Sequence, residues 1–280
     1  MRGAQPAWCI FRTCCVPASS DAPPPRVLVV VPARYASQRF PGKPLAALRG
    51  GDGVIKPLVQ WSWEAAMAVR DRAGIVVATD DARIADTVRG FGGAVAMTAP
   101  DLRNGTERCA ALLDQRDEDP DLVINLQGDS PLVPRAALDA LIDAWVAAPA
   151  SVLTPWIACD SALGGQLIAD HQAGRVGGTT VVADRSGQAL YFSKRPIPYG
   201  PGEELKLHLG LYAYTPVALR NYAALPPGPL EMAEGLEQLR FLEHGVPVKL
   251  IEIARPEHGF WEVNNPEDVA LVERTLAARS

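Results

Sequence analysis

Cysteine is scarce: five residues in 280, at positions 9, 14, 15, 109 and 159, with no C-x-x-C pair. An odd, sparse set of this kind excludes a disulfide framework or a thiolate metal centre as the organising feature, and it fits a reduced, cytoplasmic protein. No apolar run approaches the length of a membrane span, so a soluble chain without membrane insertion is expected. Excess positive charge is missing as well. The net charge of -5 gives no reason to expect a nucleic-acid partner. Residues 1–25 lack the long apolar core and small-residue cleavage site of a signal peptide; Arg12 interrupts the short stretch from Trp8 to Phe11, and Pro23-Pro24-Pro25 follows. They read as a disordered tail or a start-site artefact.

At 48% hydrophobic the chain can bury a full core, as one large domain or two modest ones. Val27-Leu28-Val29-Val30-Val31 reads as a strand buried on both faces, as in the middle of a parallel sheet. A loop leaves it at Pro32 and carries Arg34, Arg39 and Lys43, with no Asp or Glu between Arg26 and Arg49. In an acidic chain this is a local excess of positive charge, placed where open α/β sheets bind ligands. Basic loops are more often solvated surface, but Gly42 and the flanking prolines constrain this one so that side chains and amides can face one polyphosphate. Its spacing matches neither the P-loop nor G-x-G-x-x-G, which argues against a Walker ATPase and a dinucleotide-binding dehydrogenase.

Further along, Lys56–Arg72 reads as a helix, Ile75–Thr79 and Ala94–Thr98 as strands, and Asp80-Asp81 as a helix start where carboxylates suit the dipole. Asn104 is the expected N-cap of a helix running to about Arg116. Leu122–Leu126 is a strand followed by Gln127-Gly128-Asp129; an acid just past a strand end can hold Mg²⁺ over a triphosphate, although a plain turn aspartate accounts for it too. After a helix over Pro134–Ala147 the pattern changes to strands joined by turns, at Val152–Trp156, Thr179–Ala183 and Leu207–Tyr214, with a hairpin turn at Asp184–Gly187. Val246–Ile251 and Phe260–Val263 are expected strands, and Asn265 with Pro266 should open the last helix.

Val31-Pro32-Ala33-Arg34-Tyr35-Ala36-Ser37-Gln38-Arg39-Phe40-Pro41-Gly42-Lys43-Pro44-Leu45 resembles the opening motif of the 3-deoxy-manno-octulosonate (Kdo) cytidylyltransferases, the CMP-Kdo synthetases. The resemblance continues in order through Ala78-Thr79-Asp80, Asn104–Arg108, Asn125–Asp129, Leu190–Ser193 and Leu236–Arg240, and covers Val27 to Ala277. It implies a Rossmann-like nucleotide-diphospho-sugar transferase fold: a mostly parallel sheet flanked by helices, with a smaller mixed or antiparallel subdomain. The expected division is a nucleotide-binding part over 26–150, an acceptor-binding and dimerisation subdomain over 151–245, and a return to the nucleotide part over 246–280.

The resemblance also implies the activity and the site. CTP would be coupled to a sugar acid, in lipopolysaccharide biosynthesis, by a cytoplasmic homodimer using Mg²⁺. Nucleotide contacts fall on Pro32, Ala33, Arg34, Arg39, Lys43, Thr79, Asp80, Gly105, Thr106, Arg108 and Gln127, with Arg34, Lys43 and Asp129 catalytic. Acceptor contacts fall on Gln127, Lys194, Arg195, His208, Tyr212, Glu234 and Gln238. Read from the residues alone, His208 is a satisfied core histidine, and Glu234 and Gln238 form a solvated helix face.

Two features depart from the family. Asn264 stands where an aspartate is usual, beside Asp129 on the metal; either its amide oxygen or Glu262, two residues away on the same strand face, would complete the site. Lys194 stands where Arg is usual, and Gly177–Thr180 lacks the expected Asn and Lys. These changes keep two alternatives open: a cytidylyltransferase for another acid, a nonulosonate or a phosphonate, and a catalytically impaired nucleotide-binding paralogue.

Overall fold

A computed structural model describes residues 23–36, 39–200, 204–257 and 259–279. The expectation of a tail over 1–25 therefore lies, for residues 1–22, outside the described residues, as do Ser37 and Gln38 of the basic loop.

The first half alternates strand and helix. β1 (Val27–Ala33) leads through the loop and one 3-10 turn at Lys43–Leu45 to a small hairpin of β2 (Ala47–Arg49) and β3 (Ile55–Pro57). Then come α1 (Leu58–Met67), β4 (Ala73–Thr79), α2 (Ala82–Gly90), β5 (Val95–Met97), α3 (Gly105–Leu113), β6 (Leu122–Leu126) and α4 (Arg135–Ala147). In the second half are β7 (Val152–Ala158), α5 (Ser161–Gln172), β8 (Thr179–Ala183), β9 (Ala189–Ser193), β10 (Lys206–His208) and β11 (Leu211–Tyr214). The chain ends with α6 (Pro216–Ala224), α7 (Pro229–Glu234), α8 (Leu239–Glu243), β12 (Lys249–Glu252) and α9 (Asp268–Ala278).

All strands but β2 and β3 join one sheet in the order β5-β4-β1-β6-β11-β7-β10-β8-β9, with β12 also on β7. β5, β4, β1 and β6 are mutually parallel, whereas β11, β10, β8 and β9 add antiparallel ladders. The fold is thus α/β, with a large mixed sheet whose nucleotide end is parallel. β1 shows why the apolar run forms here: Leu28 and Val30 enter the core on one face, Val27, Val29 and Val31 the core on the other, and all are buried. A strand with no polar side faces no solvent and belongs in the centre.

Several boundaries shift from expectation for local reasons. Lys56 and Pro57 form β3, because the residue before proline is pushed into extended backbone, and the helix begins only at Leu58. The strand expected from Val246 begins at Lys249: Gly245 (φ 73°) turns the chain and Val246 N bonds back to Phe241 O, 2.9 Å, closing α8. Among the described residues Phe260–Val263 pairs with no strand, and Val263 N donates instead to Asp129 O at 2.9 Å. Asp268 Oδ2 accepts from both Asn264 N (2.8 Å) and Asn265 N (2.7 Å), so a carboxylate organises a turn over Asn265–Asp268 and the last helix starts at Asp268, later than the Pro266 start that an Asn265 cap would have given.

Candidate active site

The parallel strands deliver their carboxyl ends to one edge. Pro32 and Ala33 at the end of β1 lie in register with Ala78 and Thr79 at the end of β4. On the other side the chain after β6 approaches so closely that Gly128 N bonds Pro32 O at 3.1 Å, and a Cβ on Gly128 would lie 2.6 Å from that oxygen. Glycine is required by this approach. Asp129, next in the chain, is thereby set against the basic loop.

That loop folds back on itself. Gly42 takes a left-handed conformation (φ 69°), its N–H bonds Tyr35 O at 3.0 Å, and the turn directs Lys43 inward. Tyr35 is clamped from the other side by Arg83, whose guanidinium lies 3.5 Å from the ring centroid. Lys43 Nζ reaches Asp129 Oδ2 at 2.5 Å, and Arg39 donates to Asn264 Oδ1 at 3.2 Å. Arg34 stays exposed, touching Arg103 O at 3.3 Å. Of the loop's three cations, Lys43 thus meets the acid itself, Arg39 meets the amide at 264, and Arg34 lies towards the chain before α3.

Glu262 belongs to the same group. Its carboxyl is held well above the usual carboxylate range, first by loss of solvent and then by repulsion from Asp129; the Asn264 side chain and the Lys43 ammonium offset this only in part. Among the described residues no three His, Cys, Asp or Glu side chains gather to hold an ion. The donor set at this point is two carboxylates, Asp129 and Glu262, and the Asn264 amide. Magnesium needs no more than one or two carboxylates when phosphate oxygens and water complete its shell, so these residues fit such an ion.

On the β4 side, Thr79 is fully buried, and Asp80 pairs with Arg108 at 3.4 Å. Arg108 also donates to Thr98 Oγ1 and to Ala99 O, and burial draws its pKa down despite Asp80. Asp81, not Asp80, caps α2, accepting from Arg83 N at 2.9 Å. Asp80 is left free of capping, and its Oδ1 is buried with no hydrogen-bond partner among the described residues. Asn104 caps α3 as expected, accepting from Glu107 N at 2.8 Å.

The start of α3 meets Gln127 closely. A Cβ on Gly105 would lie 2.9 Å from Gln127 Nε2. Glu237 ties both together, accepting from Thr106 N and from Gln127 Nε2, each at 3.2 Å. Burial raises the Glu237 pKa, and the Thr106 backbone bond opposes that rise. Glu237 lies inside a motif singled out in the sequence, yet only Gln238 beside it was assigned a role. The signal available was the pairing of an acid with that glutamine.

The expected acceptor residues divide into two places. Lys194 N and Ser193 Oγ donate to Glu234 (3.0 and 2.8 Å), which fixes the end of β9 against α7, with Arg195 exposed alongside. His208, Tyr212 and Gln238 lie in the core instead. The His208 ring sits between Phe192 and Tyr212, its Nε2 is 2.8 Å from Thr154 Oγ1, and Tyr212 donates to Gln238 Oε1 at 3.0 Å. Burial alone lowers the His208 pKa to about 3, leaving the ring neutral.

The family model described as cytidylyltransferase matches residues 28–252. The 3-deoxy-manno-octulosonate cytidylyltransferase of Maricaulis maris is 41% identical over 257 residues, 90% of this chain and 97% of that protein. The 8-amino-3,8-dideoxy-manno-octulosonate cytidylyltransferase of Shewanella sp. strain W3-18-1 is 42% identical over 258 residues, 90% of this chain and 99% of that one. Among solved structures, CMP:2-keto-3-deoxy-manno-octonic acid synthetase complexed with CTP superposes with a TM-score of 0.77 at 34% identity, over 91% of this chain and all of that one.

Proposed function

The chain belongs to the Kdo cytidylyltransferases, the CMP-Kdo synthetase family, and we propose that it couples CTP to Kdo, giving a CMP-sugar and pyrophosphate. It is a nucleotidyltransferase acting with CTP on a Kdo-like sugar acid. The observation that carries the reading is the meeting of the basic loop with Asp129: Lys43 on its carboxylate and Arg39 on Asn264.

In this reading the acceptor's anomeric hydroxyl attacks the α-phosphorus in line. Arg34, Arg39 and Lys43 hold the triphosphate and neutralise the charge that builds on the leaving pyrophosphate. Asp80 with Arg108, and the α3 start at Gly105-Thr106, frame the base and ribose beside Pro32, Ala33 and Thr79. Gln127, oriented by Glu237, faces the junction of nucleotide and acceptor, and Lys194 and Arg195 offer cations for the acid's carboxylate. His208, Tyr212, Glu234 and Gln238 support that wall from behind or at its edge. A divalent ion, Mg²⁺, completes the site, held by Asp129 with Asn264 or Glu262; bound there it supplies further charge neutralisation at the α-phosphate. Residues 26–150 and 246–280 serve the nucleotide, and 151–245 the acceptor.

A cytoplasmic homodimer is part of the proposal. The described cysteines, Cys109 and Cys159, are both free and buried, which suits a reducing compartment. β9 is the terminal strand of the sheet's main path and Leu190 on it is exposed, a place where a second copy would pack. Among the described residues no helix is long and apolar enough to cross a membrane.

The test is pyrophosphate release from CTP and Mg²⁺ with Kdo and, in parallel, with its 8-amino-8-deoxy analogue. The amino acceptor enters as a second reading through the 42% identity to the Shewanella enzyme. Turnover with Kdo above the analogue supports the first reading and the reverse supports the second. CTP binding without turnover on any sugar acid would favour a non-catalytic role.

A further inference from the structure

We propose that Glu262, and not Asn264, is the second protein ligand that joins Asp129 on the divalent ion; this rests on the nucleotidyltransferase reading above and deepens it. The segment is positioned by one backbone bond. Val263 N donates to Asp129 O at 2.9 Å while the Val263 side chain is fully buried with Leu132 and Val272. In extended chain the residues on either side of Val263 point away from that core, so both Glu262 and Asn264 are turned towards Asp129.

Their polar atoms are used differently. Asn264 Oδ1, the only amide atom able to ligate a cation, already accepts from the Arg39 guanidinium at 3.2 Å. An oxygen shared with a fixed positive charge is a poor ligand for a second one. Glu262 shares its oxygens with no guanidinium: its carboxyl is repelled by Asp129, bonded by the neutral Asn264 side chain and attracted by Lys43. Two carboxylates directed at one another are costly unless a cation lies between them. Lys43 Nζ, 2.5 Å from Asp129 Oδ2, supplies that charge from one side.

Glu262 also has a slot made for it. A Cβ on Gly210 would lie 2.5 Å from Glu262 Oε1, so the carboxylate occupies space that any other residue at 210 would take. Alongside, the Ser130 hydroxyl is wholly buried and turned towards the same carboxyl. The amide at 264 then takes another task, holding Arg39 at the edge of the phosphate loop.

The test measures CTP binding by calorimetry with Mn²⁺ and with EDTA, so that the tightening Mn²⁺ produces reports the protein's share of the ion. Glu262→Gln and Glu262→Asp are each expected to lose at least about tenfold of that tightening, as is Asp129→Asn, while Asn264→Ala stays within about twofold. A tenfold loss in Asn264→Ala overturns the proposal by itself, whatever the Glu262 variants do. So does an unchanged Glu262→Gln beside a weakened Asp129→Asn, which would mean a single carboxylate ligand. Pyrophosphate release by the wild type is followed separately: an Mn²⁺ pattern as expected without turnover on any acid overturns the activity and leaves the ligand assignment standing.

Discussion

Lys43 Nζ lies 2.5 Å from Asp129 Oδ2, joining the loop after β1 to the turn after β6 across 86 positions of sequence. The two side chains keep 14% and 23% of their surface, so the pair is only partly screened, and Lys43 also offsets the repulsion between Asp129 and Glu262. Lys43→Ala is therefore expected to lower the urea midpoint. It is also expected to lower the rate of pyrophosphate release per folded molecule by about 10²- to 10³-fold, the usual effect of removing one charge-stabilising donor. Near-normal turnover in this variant would take Lys43 off the phosphates.

Gly128 is the hinge of the same contact. Gly128→Ala places a methyl 2.6 Å from Pro32 O, a backbone atom that cannot rotate away. The strand ends must separate, which should cost about 1–3 kcal/mol in urea unfolding. Asp129 moves with them, so activity should fall further than stability does. A displacement near 1 Å costs about a hundredfold in rate. Equal activity per folded molecule would show that Asp129 tolerates the shift.

Arg240 closes a buried ion network behind the start of α3. It is fully buried, grips both oxygens of Glu231 at 2.6 Å, reaches Glu107 Oε1 at 3.0 Å and stacks on Tyr222 at 4.1 Å. Arg240→Ala strands the Glu231 carboxylate away from water, while Glu107 keeps Arg103 at 2.8 Å, and is expected to destabilise the protein by about 3–5 kcal/mol. Arg240→Lys should recover little, because a single ammonium cannot match the two-pronged grip on Glu231. Urea titrations at neutral pH read both values, and a loss under 1 kcal/mol for Arg240→Ala would mean that water enters and satisfies the acids.

What could be read from sequence were features written in short stretches. Val27–Val31 announces a strand buried on both faces, Asn104 announces a cap, and an acid after Gly128 announces a strand-end turn, because each depends on neighbours a few residues away. Contacts between distant segments left no such mark. Glu237 meets Thr106 across 131 positions, Arg240 meets Glu107 across 133, and Arg39 meets Asn264 across 225. Nothing local distinguishes Glu237 from a solvated helix acid. The turn before α9 was equally invisible: Asp268 Oδ2 reaches back to the backbone N–H groups of Asn264 and Asn265, and that carboxylate sets where the helix begins. His208 was readable in both ways, and its burial shows which environment the fold provides.

That burial has a consequence for acid stability. Thr154 has one hydroxyl hydrogen and gives it to Leu211 O at 2.7 Å, so towards His208 it can only accept, and His208 Nε2 carries the ring proton. A second proton would have to go on Nδ1, deep among Phe192 and Tyr212, and burial lowers the folded-state pKa to about 3 from an ordinary 6.5. The sign follows directly. Above pH 6.5 the ring is neutral in both folded and unfolded chains and contributes no slope. Below that, the unfolded chain takes up a proton that the folded one refuses, so stability falls by up to about 1.4 kcal/mol per pH unit until the folded pKa is reached. His208→Gln removes this titration and retains a donor for Thr154. Its unfolding free energy should be lower than wild type at pH 7.5, from imperfect packing, yet should decline less steeply between pH 6.5 and 4.5. Parallel slopes for the two proteins over that range would show that water reaches His208 and that the ring titrates as it does in solution.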